Sequence, residues 1–353
     1  PLRRQRQMCI RDSATGASPI MPSLAGSHLQ NIFVLRTMDQ GIILKEHIER
    51  ANPKNALIIG GGYIGLEMAE ALVKKNLKAT LVEMRNQLMN TVDKEISDQI
   101  ENYLKEKGCE VLKSDKVTAF IGDNKVEAVR FQRSDELPID LVIASSGVQP
   151  NVEFAVSGGV ELGKSGAIAV NTKMQTNKIH VYAAGDCAEA KNLLTGKSDY
   201  VPLGTTANKQ GRVAGDNASG KVSHFNGMVA TATVKVFDLE IARTGLTEQQ
   251  ATDLHIPYKK VVIKDKTKAS YYPGSKPMTV LLIFNAINSR LLGAQIAGYQ
   301  GAAKRIDILA TALHKAMTVQ EIAELDLSYA PPFAPVWDPV LIAANQAVKN
   351  SRQ

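Results

Sequence analysis

The chain has 353 residues, enough for two or three domains, and its 44% apolar and 22% charged residues are ordinary for a soluble globular protein. No apolar run approaches the ~20 residues of a membrane helix, and no apolar stretch follows the basic start, so neither a membrane span nor a secretory signal is expected. The net charge of +7 is partly local, because Arg3, Arg4, Arg6 and Arg11 stand against Asp12 alone, and the rest has no Arg-rich run with interleaved aromatics, which argues against a nucleic-acid partner.

In chain order, residues 1–13 show no apolar period, and at Ala14 the text changes to a small-residue loop and then to regular elements. "ALIIGGGYIG" is an apolar strand ending in glycines, and Leu66, Ala69 and Leu72 follow at helical spacing. "LKATLVEM" predicts a second strand and "EISDQIENYLKEKG" a second helix stopped by Gly108. Strand, glycine turn, helix and strand make a βαβ unit. "KVTAFIGDNKVEAVRFQ" reads as a hairpin around Gly122-Asp123-Asn124, and "IDLVIASSG" as one more buried strand.

From about Gly166 short strands lead to Ala184-Gly185-Asp186, and "TANKQGRVAGDNASG" is helical. Residues 229–300 are mostly strands, with a hairpin turning at Asn288-Ser289-Arg290. Two helices follow. One carries Ile306, Leu309, Leu313 and Met317 on a single face; the other opens with a capping box, Thr318 and Glu321. Strands followed by helices imply a separate α+β domain near the C-terminus.

Gly60, Gly62 and Gly65 form GxGxxG between a strand and a helix. The first allows a tight turn, the second a close approach by pyrophosphate, and the third close packing of helix on strand, with the phosphates on the helix N-terminus. Glu83 ends the next strand, where a carboxylate accepts hydrogen bonds from a ribose 2′-hydroxyl. It favours NADH over NADPH, and the nearby Arg85 keeps NADPH as the alternative. In "KIHVYAAGDC" a strand ends at Gly185 and Asp186. A carboxylate there suits a polyol hydroxyl, although a plain Asx turn has the same composition. Cys9, Cys109 and Cys187 form no CxxC pair, and the six histidines are scattered, which fits a reducing cytoplasm and no metal site. Cys109 and Cys187 read as core residues.

"ALIIGGGYIGLEMAEAL", "ASSGVQPN", "KIHVYAAGDCAEA" and "GTTANKQGRVAG" occur in an order that resembles the pyridine nucleotide-disulfide oxidoreductase flavoproteins. "YYPGSKPM", "GAAKRIDILATAL" and "YAPPFAPVWDPVLIAANQA" look like the coenzyme A-disulfide reductase and NADH oxidase branch. The resemblance runs from Ala14 to about Val348. It implies an α/β fold of two nested Rossmann-like domains, for FAD and NAD, plus a C-terminal α+β dimerisation domain. It assigns Ala14, Thr15, Gly16, Gly185, Asp186, Thr205, Thr206 and Ala207 to FAD. To NAD it assigns Gly60, Gly62, Tyr63, Ile64, Gly65, Glu67, Glu83 and Gly147. By the same resemblance Tyr63 covers the flavin until nicotinamide displaces it, while an aromatic packed under the turn is the other reading. Glu67, read as lying in the first helical turn, borders the nicotinamide site.

Tyr271 and Tyr329 match the tyrosines that one subunit extends to its partner's active site, where a phenol can donate to a thiolate or oxyanion. The implied activity is hydride transfer from NADH to FAD and onward to a cysteine-based acceptor: coenzyme A disulfide, O2 or peroxide. The implied assembly is a cytoplasmic homodimer. The family's redox cysteine and first flavin glycines precede "ATG", and the sequence contains neither. "RRQRQMCIRDS" reads as an in-frame translation of a sequencing adapter, so the expectation is an N-terminally truncated fragment, inactive and poor at holding FAD. The expected boundaries are 1–13 adapter, 14–51 remnant of the flavin domain, 52–150 NAD domain, 151–224 second flavin segment and 225–353 dimerisation domain. A ferredoxin- or rubredoxin-reductase-like electron carrier and a non-catalytic NADH-binding module are the alternatives.

Overall fold

The computed structural model describes residues 11–352; Cys9 and most of the 1–13 stretch lie outside the described residues. In chain order the elements are β1 (Arg11–Ser13), β2 (Ala17–Pro19), β3 (Ile32–Val34), α1 (Met38–Ala51), β4 (Asn55–Ile59), α2 (Tyr63–Lys74), β5 (Lys78–Glu83), α3 (Lys94–Glu106) and β6 (Glu110–Lys113). Then come β7 (Val117–Ile121), β8 (Ala128–Phe131), β9 (Leu137–Pro138), β10 (Leu141–Ala144), β11 (Val148–Pro150), α4 (Glu153–Ser157), β12 (Val181–Ala183), β13 (Ala190–Lys191), β14 (Ser198–Asp199) and α5 (Gly204–Ala218). The C-terminal part holds β15 (Ala232–Val236), β16 (Leu239–Gly245), α6 (Glu248–Asp253), β17 (Tyr258–Lys266), β18 (Pro277–Asn285), β19 (Leu291–Gly298), α7 (Ala302–His314), α8 (Val319–Ala323) and α9 (Pro339–Ser351).

The chain divides into two compact units, one ending at Ser18 and resuming over Val148–Ala230, the other formed by Pro19–Gly147 and the chain from Thr231 onward. In the second unit a parallel sheet runs β3-β10-β4-β5-β6. Its central strands β4, β5 and β10 are buried along most of their length because both faces are covered. Ala56, Ile58, Ala79, Leu81 and Ile143 turn toward Leu66, Ala69 and Leu72 of α2 and Ile96 and Ile100 of α3. Leu57, Val82 and Val142 turn the other way, toward Val117, Phe120, Val129 and Phe131 of the antiparallel β7-β8-β9 layer.

The same unit contains the antiparallel sheet β15-β16-β19-β18-β17. Val234, Val236, Phe237 and Ile241 of its first hairpin enter the core built by α2 and α3. Behind the sheet, Val261 and Phe284 pack on Val319 and Ala347. In the first unit β1 runs parallel to β12, with Ser13 opposite Ala183. Two small cores hold it, one including Tyr182, Val213 and Phe225 and the other Ala155, Ile168, Ala183 and Cys187.

The structure divides residues 14–51 differently from the sequence-based expectation. Residues 19–51 belong with the parallel sheet: β3 pairs with β10, and Leu44 of α1 is buried in the same core as Leu72. Helix α1 carries its own start signal, a capping box in which Gln40 N–H donates to Thr37 Oγ1 and the Gln40 amide oxygen accepts from Thr37 N–H.

Candidate functional site

The glycine turn lies between β4 and α2, and each glycine has a distinct steric reason. Gly60 has φ +105°, and a Cβ there would stand 2.6 Å from the Ser145 carbonyl oxygen. At Gly65 a Cβ would stand 2.0 Å from Gly60 O, so this glycine lets α2 lie on the strand. A Cβ at Gly62, the N-cap of α2, would meet nothing within 4 Å, so its smallness serves no packing purpose within the protein. Tyr63, Ile64 and Gly65 follow as the first helical residues, whose N–H groups have no intrahelical acceptor.

Three neighbours fix this turn. Glu83 accepts from Gly61 N–H at 2.8 Å through Oε2 and from Arg85 N–H at 2.9 Å through Oε1. Ser145 Oγ is placed to donate to Ile59 O or Gly60 O, at 2.9 and 3.1 Å. Met89 N–H donates to Gly61 O at 2.8 Å. The turn opens on a cleft of about 460 Å³ whose lining includes Gly60, Gly62, Glu83, Asp115, Ser146 and Gly147, with Arg85 and Lys116 as its cations. Gly147 (φ +109°) is in the left-handed region, and a Cβ there would meet only Ile20 at 3.9 Å. Helix N–H groups, a carboxylate on the second strand and a vacant Cβ space at Gly62 are the features that accommodate a dinucleotide.

The structure thus brings Gly60, Gly62, Tyr63, Ile64, Gly65, Glu83 and Gly147 together. Glu83 has a duty not visible in the sequence, since both its oxygens already accept from backbone; each retains a further lone pair for a ribose hydroxyl. Tyr63 is half-buried against the core, with its hydroxyl 3.4 Å from Thr91 Oγ1. Glu67 corrects an expectation: α2 starts at Tyr63 and its first turn holds no acidic residue, so Glu67 stands one turn too far along for the dipole argument. Partial burial, and then the charge of Glu70, push the Glu67 carboxyl above the usual glutamate range.

The flavin candidates cluster within the first unit. Ala184 N–H donates to Ser13 O at 3.0 Å, and Thr15 Oγ1 donates to Asn151 O at 2.6 Å, which fixes the Ala14-Thr15-Gly16 turn beside the end of β12. Gly185 has φ +82°, and a Cβ there would stand 3.6 Å from Ala207 Cβ, so the strand end abuts the first turn of α5, where Thr205 and Thr206 also lie. Tyr200 donates its hydroxyl to Asp186 O at 2.8 Å. Cys187 is fully buried with Sγ 3.3 Å from the carbonyls of Ser13 and Ala184, the packed role expected for it. Cys109 is also buried, and burial pushes its thiol up to about 12.

Tyr271 and Tyr329 are 74% and 46% exposed, and their hydroxyls lie 3.5 Å apart although the residues sit in separate loops. Sequence reasoning overlooked what anchors those loops, a buried pair in which Arg305 Nε donates to Asp338 Oδ2 at 2.8 Å. Among the described residues no group of three His, Cys, Asp or Glu side chains is arranged for a metal, and no helix is long and apolar enough to cross a membrane.

The Pyridine nucleotide-disulphide oxidoreductase family model matches residues 13–211, and the model of that family's dimerisation domain matches residues 231–339. The chain belongs to the pyridine nucleotide-disulphide oxidoreductase family. Among curated proteins it is similar to the NAD(P)H coenzyme A polysulfide/persulfide reductase of Pyrococcus horikoshii, 39% identical over 94% of this chain and 74% of that one. It is also similar to the coenzyme A disulfide reductase of Staphylococcus haemolyticus, 30% identical over 86% and 68%. Among solved structures, the reduced CoADR-RHD of Bacillus anthracis superimposes with TM-score 0.92 at 37% identity. That match covers 96% of this chain but only 60% of the other, so the chain spans about three fifths of its length. Members of this oxidoreductase family work with FAD and NAD(P)H.

Proposed function

We propose that the protein is an FAD-dependent NAD(P)H oxidoreductase that delivers two electrons to a coenzyme A disulfide, a polysulfide or dioxygen. The observation that carries this reading is the glycine turn, where the Cβ space at Gly62 is kept empty beside free helix N–H groups and a strand-end carboxylate. The residues of the turn bind and orient. N–H groups at the start of α2 hold the pyrophosphate, and Glu83 holds both the turn and the ribose. FAD and NADH, when bound, supply the hydride chemistry, while the protein supplies position and field.

With FAD bound, Asp186 would take the ribityl hydroxyls, and the first turn of α5 would present its N–H groups and dipole to the flavin ring. Tyr63 would cover the flavin in the absence of nicotinamide. Tyr271 and Tyr329 serve the acceptor site of a second copy of the chain, which makes the working form a homodimer, and the setting is cytoplasmic. The Staphylococcus and Pyrococcus relatives supply the acceptor class, because their names specify coenzyme A disulfide and coenzyme A polysulfide.

The test is anaerobic titration of the FAD-loaded protein with NADH, followed by coenzyme A disulfide or air. The expected result is bleaching of the flavin band and its return. Tight NADH binding without bleaching would instead assign the chain to nucleotide binding alone.

A further inference from the structure

We infer that Arg305 is a positioning residue that sets the Tyr271–Tyr329 pair, because its one guanidinium fastens both tyrosine-bearing loops. The inference rests on the proposed role of those phenols at the acceptor site.

Arg305 is 8% exposed and uses each of its nitrogens. Nε donates to Asp338 Oδ2, Nη1 to Gly301 O at 3.0 Å, and Nη2 to both Thr267 O and Phe333 O at 3.1 Å. Thr267 begins the loop that carries Tyr271, and Phe333 lies in the segment that starts at Tyr329. Asp338 completes the clamp, since its Oδ1 accepts from Val340 N–H and caps α9 while Oδ2 takes Arg305.

Stability alone does not account for this placement. Arg305 lies in the opening turns of α7, the end where the helix dipole disfavours a cation. The segment it holds is also one that water would otherwise loosen, because Phe333, Val336 and Trp337 are 77%, 66% and 59% exposed. A planar fork with five N–H donors serves three carbonyls and a carboxylate together, one acceptor more than the three donors of an ammonium can reach.

The experiment uses Trp337, the single tryptophan of the chain, as a reporter beside Asp338. In the full chain, acrylamide quenching of Trp337 and ultraviolet titration of the phenols are compared for wild type, Arg305→Met and Arg305→Lys. Arg305→Met should raise the quenching constant roughly twofold as the segment opens locally. It should also remove the upward displacement of the Tyr329 phenol that the Tyr271 hydroxyl causes. Arg305→Lys, which can still pair with Asp338, should keep the Trp337 value but not the phenol titration. A folded Arg305→Met protein with either readout unchanged overturns the inference. If that variant fails to fold, an unchanged phenol titration in Arg305→Lys does so. Neither readout needs a cofactor, so failure of NADH to bleach the flavin would overturn the functional reading and leave this one to its own test.

Discussion

Asp93 and Gln295, 202 residues apart in the chain, bind each other twice: Asp93 N–H donates to Gln295 Oε1 at 2.6 Å, and Gln295 Nε2 donates to Asp93 Oδ2 at 2.9 Å. Glu248 N–H donates to the remaining Asp93 oxygen at 2.9 Å, so one buried carboxylate joins the start of α3 to β19 and α6. The segment just before Asp93 contains Met89, whose N–H holds Gly61 O, so this contact supports the glycine turn from behind. Gln295→Met keeps the volume and removes both bonds. It should cost about 2 kcal/mol, the penalty for a buried polar group left short of partners. Urea denaturation of the two proteins gives this directly, and a change below a quarter of that size would refute the bracing role.

The glycines separate folding from binding. Gly62→Ala should fold with an unchanged melting temperature, because its Cβ meets nothing within 4 Å and its φ of −83° suits alanine. It should nevertheless weaken NADH binding by roughly tenfold or more, since the methyl group occupies the space left for pyrophosphate. Gly65→Ala should lose both, with its Cβ 2.0 Å from Gly60 O. Calorimetric titration with NADH beside a thermal melt decides the matter, and normal binding by Gly62→Ala would move the phosphate site elsewhere.

Much of this site was legible in the sequence because its determinants are local. The strand-glycine-helix order and the periodicity of Leu66, Ala69 and Leu72 set the turn, and the distance to Glu83 set the second strand. What Glu83 does was not legible, because its bond to Gly61 N–H forms only when β5 lies beside β4. The capping boxes at Thr37 and Thr247 were readable signals for α1 and α6, helices that the apolar pattern alone does not predict. Gln295 stands as a lone polar residue inside an apolar strand, a hint of a buried partner but not of which one. Arg305 carried no signal in the sequence, since three of its four acceptors are the backbone carbonyls of Gly301, Thr267 and Phe333, a group that every residue has.

Two buried aspartates should give the unit opposite responses to acid. Asp115 is pushed up by burial, but this is outweighed by bonds from Ser134, Lys116 and Arg133, which hold its carboxyl below the usual range. A depressed folded value means stability that is present above the unfolded pKa and lost as pH falls through the folded one. For Asp93 burial prevails and raises the carboxyl, so its contribution is full below the unfolded pKa and declines as pH rises through the folded value. Asp115→Asn should therefore flatten the acid limb of a stability–pH curve below about pH 4, and Asp93→Asn should flatten the opposing slope above it. Urea midpoints across that range test both signs, and parallel curves for the two variants would show the assignment to be wrong.

The thiols make a final, chemical prediction. Cys109 immediately precedes β6 at 2% exposure, and with its thiol pushed up to about 12 only ~10⁻⁴ of it is thiolate at pH 8. Cys187 has no exposed surface and lies against two carbonyl oxygens. Because the thiolate is the nucleophile, neither residue should be alkylated by iodoacetamide in the native protein, and both should be in urea. Peptide mapping by mass spectrometry assigns the label to each position. Rapid native labelling at Cys187, the residue after the proposed flavin-binding Asp186, would make it a candidate redox thiol and require the acceptor chemistry to be reassigned.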